Sequence, residues 1–323
     1  MKKETQRDKN PFKNSDTNKR YYTYDYYLKN KFGGKCAKIP IDAGFTCPNI
    51  DGKCGFGGCI YCSGRGSGDF AQVPEMPIHE QISVTRERLG SKWKTERIIP
   101  YFQAHTNTYA PVEVLRKKFE EALNAEGVVA MNIATRADCL EDDKIELLSE
   151  LSGRTELTVE LGLQTSNDRV AELINRGHSF EDFKASYYRL RAASDKINIC
   201  IHIIFGLPQE NYDDMLNTVK DVAALKPDQV KIHLLHVIKG TKLAQMYENG
   251  EYIPMDRETY ISTVCDAIEL LPPDTVVARL TGDGMQDALL APLWSIKKVS
   301  VINDIDKELF RRNTVQGEKY NKK

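Results

Sequence analysis

Four of the chain's eight cysteines fall within sixteen residues, in the stretch CPNIDGKCGFGGCIYC at 47–62. Gly52, Gly55, Gly57 and Gly58 fill the gaps between them. Thiols so placed can bind zinc, hold an iron–sulfur cluster or close a disulfide. Four ligands make a closed zinc site, but the gaps here are six, four and two residues, and Cys59-x-x-Cys62 is the one C-x-x-C knuckle among them. An iron–sulfur cluster takes thiolates, and a glycine-rich loop lets backbone N–H groups approach the sulfides and tune the potential.

Lys and Arg number 45 against 46 Asp and Glu, so global charge says nothing about partners. Its distribution says more: residues 1–35 hold ten basic and four acidic side chains, together with Phe12, Tyr21, Tyr22, Tyr24, Tyr26, Tyr27 and Phe32. Lys and Arg suit phosphates and aromatic rings stack on bases, which fits nucleic acid. A basic coil whose tyrosines pack on the body of the protein fits equally. The opening MKKETQRDKNPF lacks the apolar core of a signal peptide. The longest apolar stretch, INICIHIIFGLP, is far shorter than the roughly 20 residues of a membrane span. A cytoplasmic protein without membrane association is expected. Disulfides rarely persist in that compartment, which removes the disulfide staple.

These thiols need elements to position them. Strands are expected at 35–41, 98–104, 128–134, 157–163, 198–205 and 229–237, several apolar almost throughout, as in parallel strands covered on both faces. Amphipathic helices alternate with them. One starts near Pro77; another opens at Pro111 and lines up Val112, Leu115, Phe119 and Leu123. Ser179-x-x-Asp182 resembles a capping box, and Asp213 and Asp214 open a further helix. Six β–α alternations predict an α/β fold with a mostly parallel sheet, either an open six-stranded barrel or a doubly wound sheet. In both, the active site lies at the carboxyl ends of the strands. The cysteine stretch follows the first strand. A last strand at 275–282 and a helix around Val299 to Phe310 read as additions.

A cysteine after the first strand, followed later by Cys59-Ile60-Tyr61-Cys62, resembles the radical S-adenosylmethionine superfamily. Its strict form, C-x3-C-x2-C, is departed from, since eleven residues separate Cys47 from Cys59. Longer first gaps occur in the branch resembling the catalytic subunit of Elongator. FGLPQE (205–210), ELGLQT (160–165), ATRADCL (134–140) and NRGHS (175–179) are similar to that branch. RYYTYDYYL, DAGFTCPN, YFQAHTNTYAP and RLTGDG resemble a stand-alone bacterial subfamily linked to wobble-uridine modification of tRNA. The resemblance implies a partial (β/α)6 TIM-like barrel of the radical SAM type with N- and C-terminal extensions. On that basis the chain divides into a basic aromatic arm (1–34), a core (35–240) and a C-terminal extension (241–323).

It also implies a 4Fe-4S cluster on Cys47, Cys59 and Cys62, with S-adenosylmethionine chelating the open iron. Reductive cleavage then gives a 5'-deoxyadenosyl radical that abstracts hydrogen from carbon. Cys54 falls where related sequences have another residue and reads as a bystander. Cys36, Cys139, Cys200 and Cys265 read as small core residues. Gln164 and Arg136 are candidate partners of the cofactor's polar groups, since a guanidinium suits a carboxylate; an ion pair of Arg136 with Asp138 fits as well. Gln103, Thr106 and Asn107 stand where the family binds the methionine amine, and Phe205 and Gly206 where it flanks the adenine. His233 and His236, three apart on an expected strand, point to opposite faces of it.

The expected activity is removal of the carboxymethyl part of a wobble carboxymethylaminomethyl-(thio)uridine, leaving the aminomethyl form. tRNA is then the substrate, and a flavodoxin or ferredoxin the electron donor. Two alternatives stay open: a radical enzyme acting on a peptide or small metabolite, and a zinc-stabilised RNA-binding module without catalysis.

Overall fold

The computed structural model describes residues 10–90, 96–282, 284 and 286–320. Part of the basic arm (1–9), the end of the C-terminal tail (321–323) and Asp283 of RLTGDG lie outside the described residues. The chain begins with α1 (Tyr24–Phe32), β1 (Ala37–Ile41), α2 (Ile78–Gly90), β2 (Ile98–Phe102), α3 (Val112–Leu123), β3 (Ala130–Arg136) and α4 (Asp142–Ser152). Then come β4 (Glu156–Gln164), α5 (Asp168–Leu173), α6 (Phe180–Ala193), β5 (Ile197–Phe205), α7 (Tyr212–Leu225) and β6 (Gln229–Leu234). The last elements are β7 (Val237–Ile238), α8 (Lys242–Glu248), α9 (Arg257–Leu270), β8 (Val276–Arg279), β9 (Leu289–Ala291) and α10 (Lys298–Arg311).

Seven strands form one sheet in the order β1-β2-β3-β4-β5-β6-β8. Pairing is parallel from β1 to β4 and between β6 and β8. All six expected strands are present, and the expected addition, β8, is a seventh parallel member. Most boundaries differ by one to three residues, and three of the shifts bear on candidate residues or on the cysteine loop. β1 starts at Ala37, two residues late, and β3 runs on to Arg136, which therefore ends the strand rather than following it. β6 stops at Leu234, so His236 lies beyond the strand and alternation no longer sends it to the face opposite His233. Pro111 occupies the N-cap of α3 rather than its first turn.

By compactness the chain falls into two units. One holds the segment ending at Lys31, Gln164–Val170 and the chain from Ile201; the other holds Phe32–Leu163 and Ala171–Cys200. In the second unit β2 is buried along its whole length, and Phe102 meets Phe119 of α3 edge-on at 4.9 Å. α6 starts at the expected capping box, Ser179 accepting from the Asp182 N–H and Asp182 from that of Ser179. In the first unit α7 opens on a second box, Asn211 with Asp214, and buries Met215, Val219 and Val222. The arm is docked here. Lys19 pairs with Asp306, the Tyr22 N–H donates to Gln316 Oε1 at 2.8 Å, and the Val277 N–H donates to the Tyr22 carbonyl at 2.8 Å. Tyr24 and Tyr27 stack at 6.1 Å, with Tyr22 edge-on to Tyr26 and Tyr27.

One buried carboxylate ties three strands of the second unit together. Glu160 on β4 is 1% exposed, and its Oε1 accepts from Lys38 of β1 at 3.2 Å and from Asn132 of β3 at 2.7 Å. Replacing Glu160 with Ala strands both donors and is expected to cost about 2–4 kcal/mol. Urea unfolding would show this as a lower midpoint at unchanged slope. Glu160→Gln, which keeps an acceptor for Asn132, should lose less.

Candidate functional site

The cysteine loop is built by hydrogen bonds that fold it back on itself. Gln81 of α2, fully buried, pins its start: Gln81 Oε1 accepts from the Asp42 N–H at 3.0 Å, and its amide donates to the Asp42 carbonyl at 2.8 Å. The Thr106 N–H, after β2, donates to the Thr46 carbonyl at 3.3 Å. Beyond Cys47 the Ile50 N–H returns to the Cys47 carbonyl at 2.8 Å, and the Cys54 N–H to that of Pro48 at 2.9 Å. An antiparallel bridge joins Asp51 to Phe56. The Gly58 N–H then donates to the Asn49 carbonyl at 2.8 Å, closing the excursion. Gly58 has φ +73°, which glycine adopts without strain. A methyl group on Gly55 would collide with Asn49 Oδ1. The long first gap is therefore looped out, and Gly58, beside Cys59, is brought back to Asn49, two residues after Cys47.

A segment after α5 holds this closure. Asn175, at φ +57°, donates through Nδ2 to the carbonyls of Phe56 (3.1 Å) and Gly58 (2.7 Å). Asn49 Nδ2 donates in return to the Asn175 carbonyl, and the Ile60 N–H to that of Ile174 at 3.1 Å. Arg176, 1% exposed, supports the segment by donating to the carbonyls of Leu163 (2.5 Å) and His178 (2.7 Å). In the sequence, Asn175 and Arg176 stand out only as part of the string NRGHS. The local signal was an Asn ahead of Arg-Gly, the residue other than glycine that most readily takes the left-handed conformation.

Electrostatics prepare the thiols. The bond donated by Cys62 pulls the Cys59 thiol down to about 7, against burial and with help from Arg136, Tyr61 and Asn49. Cys62 is pushed up by that same bond, then by burial and by the charges of Cys59 and Cys47. Arg136, which burial alone would weaken, is held protonated by Asp138 and by the charges at Cys47 and Cys59. Its Nε and Nη2 donate to the two oxygens of Asp138 at 2.9 and 2.7 Å, and Nη1 donates to the Arg176 carbonyl at 2.7 Å. The ion pair with Asp138 is thus formed. Cys54 stands apart: it is exposed, its sulfur lies 3.7 Å from Asp138 Oδ2, and burial and Asp138 raise its thiol. Cys36, Cys139, Cys200 and Cys265 are buried, as expected of core residues. Among the described residues no three His, Cys, Asp or Glu side chains already surround a point as metal ligands do.

Gln103, Thr106, Asn107 and Arg136 belong to the same unit as the loop. Gln103 Nε2 donates to the Ser67 carbonyl at 2.8 Å. The fully buried Asn107 donates to the carbonyls of Phe102, Ala104 and Ala134, while its Oδ1 accepts no hydrogen bond from the described residues. Gln164, Phe205 and Gly206 belong to the other unit. Gln164 ends β4 at φ +64°. Phe205 is buried edge-on against Tyr260 at 6.5 Å, and the Gly206 carbonyl accepts from Tyr252 Oη at 2.7 Å. Glu210, which the sequence analysis did not single out, takes the Leu207 N–H at 3.3 Å, and burial pushes its acid up to about 8.

Comparison with known proteins gives these residues a context. The profile described as "Radical SAM superfamily" matches residues 49–222, and "Radical_SAM C-terminal domain" matches 227–311. The uncharacterized protein YtqA of Bacillus subtilis is 47% identical, over 95% of both chains. A tRNA uridine(34) acetyltransferase of Methanocaldococcus jannaschii is 32% identical over 48% of this chain and 28% of that enzyme. The structure of the archaeal Methanocaldococcus infernus Elp3 shares the fold at a TM-score of 0.67 and 20% identity, over 87% of this chain and 64% of that one.

The Asn175 clamp has a direct test. Asn175→Gly keeps the backbone conformation and removes the two bonds to Phe56 and Gly58. Amide exchange over residues 54–60 should quicken about tenfold or more, with strand amides unchanged. Unchanged exchange would mean that the loop holds its own shape.

Proposed function

This chain is an enzyme of the radical SAM superfamily, and we propose that it holds a 4Fe-4S cluster on Cys47, Cys59 and Cys62 and acts on the wobble uridine of tRNA. The observation that supports the cluster assignment is the closure of residues 48–58, in which the Gly58 N–H, beside Cys59, donates to the Asn49 carbonyl, two residues after Cys47. The donor set fits: three thiols on one loop, one already pulled down to about 7, with a guanidinium among the charges that stabilise it. S-adenosylmethionine fits the end of β2, where the buried Asn107 Oδ1 is left to accept from an ammonium group. With its three nitrogens engaged, Arg136 acts on the site through charge and by holding the Arg176 carbonyl. Gln103, Thr106, Gln164, Phe205 and Gly206 remain the other proposed contacts. Bound there, the reduced cluster would supply an electron to the cofactor's sulfonium and hence a radical able to take hydrogen from carbon.

The likeness to a tRNA uridine(34) acetyltransferase supports tRNA as the substrate class. The tyrosines and lysines around α1 offer stacking and phosphate contacts. The reaction is removal of the carboxymethyl group from wobble carboxymethylaminomethyl-uridine, with a flavodoxin or ferredoxin as electron donor.

Anaerobically reconstituted, reduced protein should be brown and should release 5'-deoxyadenosine faster with bulk tRNA than without it. Cys47→Ala, Cys59→Ala and Cys62→Ala should each abolish release and most bound iron, while Cys54→Ala keeps both. Release indifferent to tRNA would move the substrate to a peptide or small metabolite. Colourless, zinc-containing protein would overturn the cluster. Unchanged tRNA nucleoside spectra after gene deletion would overturn the wobble-uridine reaction.

A further inference from the structure

One side chain of the cysteine loop bonds a proposed ligand sulfur directly. Asn49 stands two residues after Cys47 and is fully buried. Its Nδ2 donates to the Asn175 carbonyl and lies 3.7 Å from Cys59 Sγ, within reach of an N–H···S hydrogen bond. A carboxamide nitrogen carries two hydrogens, one for each acceptor. Turning the amide over would set Oδ1 against the Asn175 carbonyl and against a sulfur that carries no hydrogen once it binds metal. The nitrogen is therefore fixed on this side. Oδ1 accepts no hydrogen bond from the described residues, so the placement serves the donor at the acceptor's expense. The oxygen side is also crowded. A methyl group on Gly55 would collide with Oδ1, and one on Gly177 would lie 3.3 Å from both Oδ1 and Arg136 Nη2. The Gly58 N–H, donated to the Asn49 carbonyl at 2.8 Å, holds the backbone. A buried, rigid frame thus delivers the amide N–H to Cys59.

We propose that Asn49 sets the reduction potential of the cluster by donating this hydrogen bond to the Cys59 sulfur. This rests on the cluster assigned above. Reduction adds one negative charge to a cluster, and part of that charge falls on its ligand sulfurs. An N–H dipole aimed at a sulfur stabilises the reduced form more than the oxidised one, and so raises the potential. Burial strengthens the effect, because no water screens the dipole. The radical reaction needs a potential at the low end of the iron–sulfur range, yet the flavodoxin or ferredoxin proposed as donor must still be able to reduce the cluster. Asn49 shifts the balance toward the second requirement. It acts through Cys59 rather than on the substrate, so its signature is a potential.

The test is an anaerobic redox titration of the reconstituted full chain, without S-adenosylmethionine, followed by electron paramagnetic resonance of the reduced cluster. In Asn49→Ala the ratio of reduced to oxidised cluster at a fixed solution potential should fall about tenfold, a drop of about 59 mV for a one-electron couple. Asn175→Gly is the control. It weakens the loop closure but keeps the carbonyl that aligns Asn49, and its potential should match the wild type. Iron and sulfide content and circular dichroism check that each variant is loaded and folded. A loaded Asn49→Ala protein at the wild-type potential overturns the proposal. Equal drops in both variants would assign the shift to loop closure and overturn it too. If Asn49→Ala loads no cluster, pulsed resonance on wild type carrying nitrogen-15 in its asparagine side-chain amides decides. Nitrogen coupled to the reduced cluster, and still coupled in Asn175→Gly, supports the bond; no coupling overturns it. All these outcomes leave the cluster assignment standing. A wild type that binds no iron–sulfur cluster would overturn that assignment, and the role of Asn49 with it.

Discussion

The site depends on one closure, the hydrogen bond from the Gly58 N–H to the Asn49 carbonyl. Three thiols cannot share a cluster unless the eleven residues between Cys47 and Cys59 leave and return without drifting. A loop of that length has many conformations, and ordering each residue costs about 1–2 kcal/mol of backbone entropy. The return is held by buried bonds with few competitors. Asn49 is fully buried; its carbonyl takes Gly58 and its amide donates to Asn175. Asn175 donates back to Phe56 and Gly58. Each residue bonds the other's surroundings, so loss of one leaves buried polar groups of the other exposed to the full desolvation penalty.

Arg136 links this geometry to the charge of the site. A guanidinium is always protonated and can serve three acceptors at once. Here Asp138 takes two of its N–H groups and the Arg176 carbonyl takes one. The same residue that helps lower the Cys59 thiol thereby orients the segment carrying Asn175. Asp138 keeps the cation in place and partly offsets its field, while the nearby sulfurs of Cys47 and Cys59 favour its charged form. Shape and electrostatics of the loop are therefore coupled, and neither can be altered alone.

How much of this could be read from sequence follows from distance along the chain. The capping box at Ser179 and Asp182 spans three residues, and the buried strands show as apolar runs, so both were legible. Asn49 and Asn175 are 126 residues apart, and Tyr22 and Gln316 are 294 apart. Nothing local announces such pairs. The docking of the arm illustrates the consequence: its basic, aromatic composition suggested nucleic acid, whereas Lys19, Tyr21 and Tyr22 are engaged with the C-terminal helix and tail. For these three residues packing is the better description, and any RNA contact falls to the tyrosines and lysines of α1. His236 was misplaced for a simpler reason. A strand end shifted by three residues changes which side chains obey alternation, and boundaries depend on pairing that composition does not encode.

The fourth cysteine of the loop bears on the proposed ligand set. All four thiols are close in sequence, and composition treats them alike. The closure between Asn49 and Gly58 divides them, leaving Cys54 on the excursion and Cys47, Cys59 and Cys62 at its base. A thiol binds metal as the thiolate, so its ease of deprotonation measures its readiness. Cys59 is pulled down to about 7 by the bond from Cys62, with Arg136 assisting. Cys54 is pushed up by burial and by Asp138, whose carboxylate lies 3.7 Å from its sulfur. Burial and charge thus separate Cys54 from Cys59 in their readiness to deprotonate, which favours the proposed trio over a four-thiolate site.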